Sequence, residues 1–107
     1  MEGVGVGKRR VVIATGEIDL QSAPELLDRL LSAASHGDAD VVVDSAGVTF
    51  LDSTGLAAFA LTHNRLLELD HKLVVRDPQP NVRLVLEITG MDTVLAIEET
   101  DGPSSAN

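Results

Sequence analysis

The sequence predicts an α/β domain built on a mainly parallel sheet of four to five strands. Short β-branched runs alternate with longer runs whose apolar residues recur every three or four positions. Gly, Pro, Asp or Ser stands at most of the junctions. Strands that alternate with helices of this length form βαβ units, which need parallel strands and right-handed crossovers. At 107 residues the chain has the size of one small domain, with its core expected from about residue 10 to residue 98.

The elements follow in order. Val11-Val12-Ile13-Ala14 predicts a strand closed by Thr15-Gly16. Ser22-Ala23-Pro24-Glu25 has the Ser-x-x-Glu spacing of a capping box, with Pro in the first turn where its missing N–H costs nothing. Leu26, Leu27, Leu30, Leu31 and Ala34 then give a helix one apolar face, and Gly37 stops it. Val41-Val42-Val43 is a wholly apolar run, as expected of a buried parallel strand, with Asp44 at its end. A second helix follows through Leu56, Phe59, Ala60, His63, Leu66 and Leu67. Leu73-Val74-Val75 is a strand ended by Asp77-Pro78. Pro80-Asn81 opens a third helix through Val82, Val85, Leu86 and Ile88, with Gly90 as its left-handed terminator. Val94–Ile97 is the last strand. Val4 and Val6, set among glycines, predict within residues 1–9 either a weak edge strand hairpinned to Val11–Ala14 or a flexible terminus. The polar stretch from Thr100 to Asn107 predicts a flexible tail.

Composition narrows the function. Hydrophobic residues make up 44% of the chain but aromatics only 2%, so Val, Leu, Ile and Ala build the core and no aromatic platform exists for stacked bases. Eight basic and 17 acidic residues give a net charge of -9, which disfavours nucleic acid and anionic membrane surfaces. No run reaches the roughly 18–20 apolar residues of a membrane span, and MEGVGVGKRR lacks the apolar centre of a signal peptide. The absence of cysteine removes disulfides and thiolate chemistry. The expectation is a cytoplasmic, monomeric domain that binds neither nucleic acid nor membrane.

Several motifs fail on their spacing. Gly3–Lys8 has a phosphate-loop flavour, but Glu2 stands where a glycine is needed and Arg9 where Ser or Thr is needed. His36, His63 and His71 have no metal-ligand spacing, and His63 reads as a hydrogen-bonded core or boundary residue. Asp52-Ser53-Thr54-Gly55 is one residue too long for the Asp-Ser/Thr-Gly of aspartic proteases. Asp44 stands where a response-regulator receiver carries its phosphoacceptor. The acidic pair after the first strand and the Lys after the last are missing, so a receiver lacks two of its three parts.

FLDSTGLAAF, Phe50–Phe59, is different. Asp52 or Ser53 should cap the helix that follows, taking the N–H of Gly55 or Leu56 for about 1 kcal/mol. A cap needs one such residue, and here an acid, two hydroxyls and a glycine stand together. A hydroxyl on the first helical turn lies in the positive end of the macrodipole, where an added phosphate would meet free N–H groups. Gly55, without a Cβ, would leave room for a visiting molecule.

Gly16-Glu17-Ile18-Asp19-Leu20-Gln21-Ser22-Ala23-Pro24-Glu25-Leu26, together with Val41–Asp44 running into Phe50–Leu56, strongly resembles the STAS family, and within it the bacterial anti-sigma factor antagonists. Thr89-Gly90-Met91-Asp92 looks like that family's third helix-to-strand junction. The resemblance covers about Val11 to Glu98. It departs in a short, glycine-rich first strand and in the absence of the usual final helix.

The resemblance implies helices largely on one side of the sheet and a regulatory binding protein rather than an enzyme, with no cofactor and no metal. It implies Ser53 as the phosphoacceptor, with Thr54 as second choice, and Asp19, Asp52, Thr54, Gly55 and Leu56 around the site where the partner binds. Asp44 would lie near the phosphate at a neighbouring strand end, and Asp19 would line the site or cap the first helix. The implied partner is an anti-sigma factor that is itself a serine kinase. Binding it frees a sigma factor for transcription, phosphorylation breaks the complex, and a phosphatase resets the cycle. The alternative is a STAS module that does not switch, acting as a small-ligand sensor or a scaffold subunit.

Overall fold

A computed structural model describes residues 8–100. Four strands, β1 (Arg9–Ile18), β2 (Asp40–Leu51), β3 (Leu73–Arg76) and β4 (Ala96–Glu98), form one sheet in the order β1-β2-β3-β4 with every neighbouring pair parallel. The connections are α1 (Ala23–Ala34), α2 (Ser53–Glu68) and α3 (Pro80–Ile88), the last followed by a single 3-10 turn over Met91–Thr93. Strands in chain order, all parallel and joined by right-handed crossovers, put every helix on one face of the sheet. Packing agrees. Val12, Val41, Val43, Leu73 and Val75 share one core with Leu26 and Leu30 of α1, Phe59 and Leu66 of α2, and Val82 and Leu86 of α3. Val42 and Val74, which alternate to the other face, are buried but do not belong to that core. That face carries an ion-pair chain in which Arg9 reaches Glu98 (2.6 Å) and Glu98 also takes Arg76 (3.2 Å).

Several boundaries differ from those expected. β1 does not close at Thr15-Gly16 but runs on to Ile18, and β2 does not end at Asp44 but runs on to Leu51. The continuation is a two-stranded arm that projects past β3, whose pairing with β2 stops at Asp44. Two register shifts place an extra β2 residue between Ile13 and Thr15 and again between Gly16 and Glu17. These bulges break the alternation of apolar residues, which hid the arm. Its free edge is sealed by side chains: Gln79 donates to the Ala46 carbonyl and Asn81 to the Thr49 carbonyl, each at 2.7 Å. β4 begins at Ala96, because Val94 and Leu95 are drawn back by N–H bonds to Met91 after the 3-10 turn. Arg9 belongs to β1, and the remainder of the expected edge strand, residues 1–7, lies outside the described residues, as does the tail beyond Thr100. Thr100 itself is tied down, its N–H and hydroxyl both donating to Asp77.

The helical stripes also shift. In α2 the buried residues are Gly55, Ala58, Phe59, Thr62, His63 and Leu66, so the inward face is rotated from the expected one and Leu67 is exposed. In α1 Ala23, Leu26, Leu30 and Ala34 are buried while Leu27 and Leu31 are half-buried. In α3 Val82 and Leu86 face the core, and Ile88 is 75% exposed. Gly37 and Gly90 take the left-handed conformation (φ 69° and 78°) at the ends of α1 and α3, as expected of helix terminators.

Candidate functional site at the amino end of α2

The arm of β1 and β2 delivers two loops to the carboxyl edge of the sheet, the place where open α/β sheets expose their functional groups. Leu51 is buried, and the next residue, Asp52, donates its N–H to the Ile18 carbonyl at 3.1 Å. This bond fixes the start of α2 against the end of β1, directly before Asp19. Asp52 has extended backbone (φ -106°, ψ -170°) and is the N-cap. Its Oδ1 accepts the N–H of Thr54 (2.9 Å) and of Gly55 (3.3 Å) and the Thr54 hydroxyl, while its carbonyl takes the Leu56 N–H at 3.0 Å. The side-chain cap thus serves Gly55, as expected, and Thr54 as well. The Thr54 hydroxyl bond holds the Asp52 carboxyl below the usual carboxylate range, against the desolvation that opposes it and with the two backbone N–H groups assisting.

Ser53 is the first residue of α2 and is exposed. Among the described residues its hydroxyl makes no hydrogen bond, whereas the Thr54 hydroxyl, half-buried, is committed to Asp52. The two hydroxyls that the sequence sets side by side therefore differ in chemistry. One is free, the other is part of the cap.

Gly55 does something other than leave room for a visitor. It is buried, and a Cβ built on it would stand 2.3 Å from Leu51 Cδ1 and 2.8 Å from Ile18 Cγ2. The space of its missing side chain is filled from inside, which lets the first turn of α2 settle onto the ends of β1 and β2. Leu56 is half-buried and packs against the core.

Asp19 organises the turn before α1. Its Oδ1 accepts the N–H of Gln21 (3.0 Å) and Ser22 (3.1 Å), and its carbonyl takes the Ala23 N–H at 2.8 Å. The expected Ser22–Glu25 capping box does not form; Ser22 Oγ instead donates to the Glu17 carbonyl (2.6 Å) and accepts from Asp19 N–H (3.0 Å). Asp19 also lines an open cleft together with Asp52, Leu20 and Gln21. It holds the turn before α1 and borders this cleft, which Ser53 itself does not line. Asp44 is not part of this constellation. It lies within β2, eight residues before Asp52 and up to about 26 Å along the strand, with its Oδ1 taking the Ala46 N–H.

A groove that sequence reasoning missed opens beside Ser53, between α1 and α2. Leu20, Ala23, Leu27, Thr54, Ala57 and Leu61 line about 230 Å³ of it. The signal lay in Ala57 and Leu61, one turn apart on the outer side of α2, and in Leu20, an apolar residue in a turn. Elsewhere, His63 is buried as expected but its Nδ1 has no hydrogen-bond partner among the described residues, and His71 Nδ1 sits 3.1 Å from Asp40. No three His, Cys, Asp or Glu side chains among the described residues group as metal ligands would, and no helix among them is long and apolar enough to cross a membrane.

A sequence model of the family described as "Mlab, STAS domain" matches residues 5–97. The chain belongs to the STAS domain family. Among STAS relatives, the anti-sigma-B factor antagonist of Staphylococcus epidermidis is 32% identical over 84 residues, 78% of each chain. A crystal structure of an anti-sigma factor antagonist from Mycobacterium paratuberculosis is 32% identical, with a TM-score of 0.72 over 84% of this chain and 76% of that one. The anti-sigma factor antagonist SpoIIAA of Bacillus shares the fold at 17% identity in its unphosphorylated form. Its TM-score is 0.75 over 94% of this chain and 87% of that one. In its phosphorylated form SpoIIAA is 16% identical with a TM-score of 0.69, over 94% and 90% of the two chains. The three solved structures share the overall fold of this chain.

Proposed function

We propose that this STAS domain is an anti-sigma factor antagonist, a binding protein rather than an enzyme, switched by phosphorylation of Ser53. The unmodified domain binds, as a monomer in the cytoplasm, an anti-sigma factor that is also a serine kinase, and so releases a sigma factor. In the modification step Ser53 Oγ forms a bond to the γ-phosphorus of the kinase's ATP, the bond to the β,γ-bridging oxygen breaks, ADP leaves, and the hydroxyl proton passes to a base on the kinase. A phosphatase reverses the outcome by hydrolysis.

The observation that carries this reading is the free, exposed hydroxyl of Ser53 on the first turn of α2, beside a Thr54 hydroxyl that is already engaged. Support comes from relatives named as anti-sigma factor antagonists at 32% identity, and from a fold-mate, SpoIIAA, known in a phosphorylated form. The electrostatics suit a switch. Phosphate brings about 1.5–2 negative charges next to an Asp52 carboxylate that its donors keep ionised. Within the free domain the amino end of α2 stabilises the new charge. Against a closely fitted partner the same group must be desolvated beside a carboxylate, and a loss of about 3–4 kcal/mol weakens binding several-hundred-fold.

A non-switching STAS module would share every element of this fold and differ only in its indifference to Ser53. Incubation with anti-sigma kinases and ATP, followed by mapping of the modified residue, separates the two. Label on Ser53 that disappears in Ser53→Ala is expected. Absence of label, with Ser53→Ala and Ser53→Asp binding the partner equally, contradicts the switch.

A further inference from the structure

The geometry points to the groove between α1 and α2 as the seat of one apolar anchor side chain of the anti-sigma factor, flanked in that partner by a Lys or Arg. This deepens the reading of Ser53 and rests on it for the identity of the partner. No charged side chain lines the groove, and two of its walls, Leu20 (76% exposed) and Leu61 (53% exposed), hold large apolar side chains in solvent. Its volume of about 230 Å³ falls below the roughly 300 Å³ at which small-molecule pockets begin, so it suits a single side chain of a protein partner. Buried apolar anchors of this kind dominate interface energetics, while the polar contacts around them exclude water.

Charge decides which partner. Leu20 is shared between the groove and the adjoining cleft of Asp19 and Asp52. Each of these carboxylates spends Oδ1 on internal donors, and among the described residues neither Oδ2 makes a hydrogen bond. An anchor that enters the groove therefore carries its neighbour toward two carboxylate oxygens, a place for a guanidinium or ammonium. A second copy of this chain, with its net charge of -9, would press acidic cleft against acidic cleft. Thr54 joins the groove to Ser53, so a phosphate on Ser53 would stand at the lip of the same surface. There its bulk and the cost of desolvating it beside Asp52 block the anchor's approach and outweigh its attraction for the flanking cation. The groove supplies affinity and Ser53 gates it.

The test uses the full chain, whose lack of cysteine makes a single thiol a clean reporter. Ala57→Gln fills the groove from an exposed helical position, and Ala57→Cys places a small thiol in it, with Ser32→Cys on exposed α1 surface outside the groove as control. Far-UV dichroism and urea midpoints establish that each variant folds. Against the purified anti-sigma factors of the source genome, Ala57→Gln should bind about thirtyfold more weakly. Maleimide labelling of Ala57→Cys, but not of Ser32→Cys, should be slowed by saturating partner. Unchanged affinity in Ala57→Gln, or unslowed labelling at Ala57→Cys, overturns the groove even if Ser53→Asp still abolishes binding, in which case the Ser53 reading stands. Weakening by Ala57→Gln with none by Ser53→Asp keeps the groove and removes the switch. If no anti-sigma factor binds the unmodified chain, both fall.

Discussion

Replacing Gly55 by alanine sets two opposing effects against each other beneath Ser53. On helix propensity alone the change stabilises, by about 1 kcal/mol for Gly to Ala within a helix. The packing says otherwise. The new methyl would meet Leu51 Cδ1 at 2.3 Å and Ile18 Cγ2 at 2.8 Å, with Leu51 Cγ at 3.3 Å. A leucine terminus can turn away, but Ile18 Cγ2 sits on a β-branched carbon with few rotamers, and both side chains are 3% exposed inside the core. Overpacking at such sites costs about 1–3 kcal/mol. With two clashes under 3 Å, a cost near the top of that range leaves a net loss of about 1–2 kcal/mol after the propensity gain. For a domain of this size that lowers Tm by about 4–8 °C per kcal/mol. Urea and thermal unfolding followed at 222 nm measure it in a chain without tryptophan. A Gly55→Ala variant as stable as the parent, or more so, would mean that α2 can lift off the ends of β1 and β2 and that the site's rigidity has been overstated.

Other expectations follow from the same contacts. Asp52→Ala should cost about 0.5–2 kcal/mol as a lost N-cap and Asp52→Asn much less, read from urea midpoints. Thr54→Val should raise the Asp52 carboxyl pKa, because the hydroxyl bond is the largest influence lowering it, as a carboxyl NMR titration would show; an unmoved titration refutes that cause. Asp38, Asp52, Asp77 and Glu98 all have carboxyl pKa values lowered in the folded state. Their contribution is therefore complete above the unfolded values near pH 4 and is lost as pH falls through the folded ones. Urea midpoints should be level above about pH 5 and decline below it, less steeply in Asp52→Asn; a flat profile to pH 3 contradicts this. Ser45→Ala removes a buried hydroxyl that donates to the Arg76 carbonyl at 2.7 Å and should cost about 1–2 kcal/mol in the same unfolding assay.

Much of this was legible in the sequence wherever a residue's role is local. Asp52 caps α2 because an acid before a helical run has one short route to free N–H groups, and Gly37 and Gly90 end their helices because a left-handed residue is cheapest as glycine. Roles set by distant packing were less legible. Gly55 reads as open space until Leu51 and Ile18, from two different strands, are seen to fill it. The reach of β2 past Asp44 is masked by Ser45-Ala46-Gly47, whose small residues look like a loop but form a bulge after which pairing with β1 resumes at Gly47. The difference between Ser53 and Thr54 is invisible in one dimension, since it depends on which hydroxyl the Asp52 carboxylate can reach. The α1–α2 groove likewise exists only once two helices that start 30 residues apart are laid side by side.

The most direct measurement titrates an anti-sigma factor kinase with two forms of the chain, unmodified and carrying phosphoserine at position 53, under conditions without ATP. The unmodified form should bind and the phosphorylated form should bind several-hundred-fold more weakly, with unchanged fold by dichroism. Equal affinity of the two forms would contradict the claim that the Ser53 hydroxyl governs the interface.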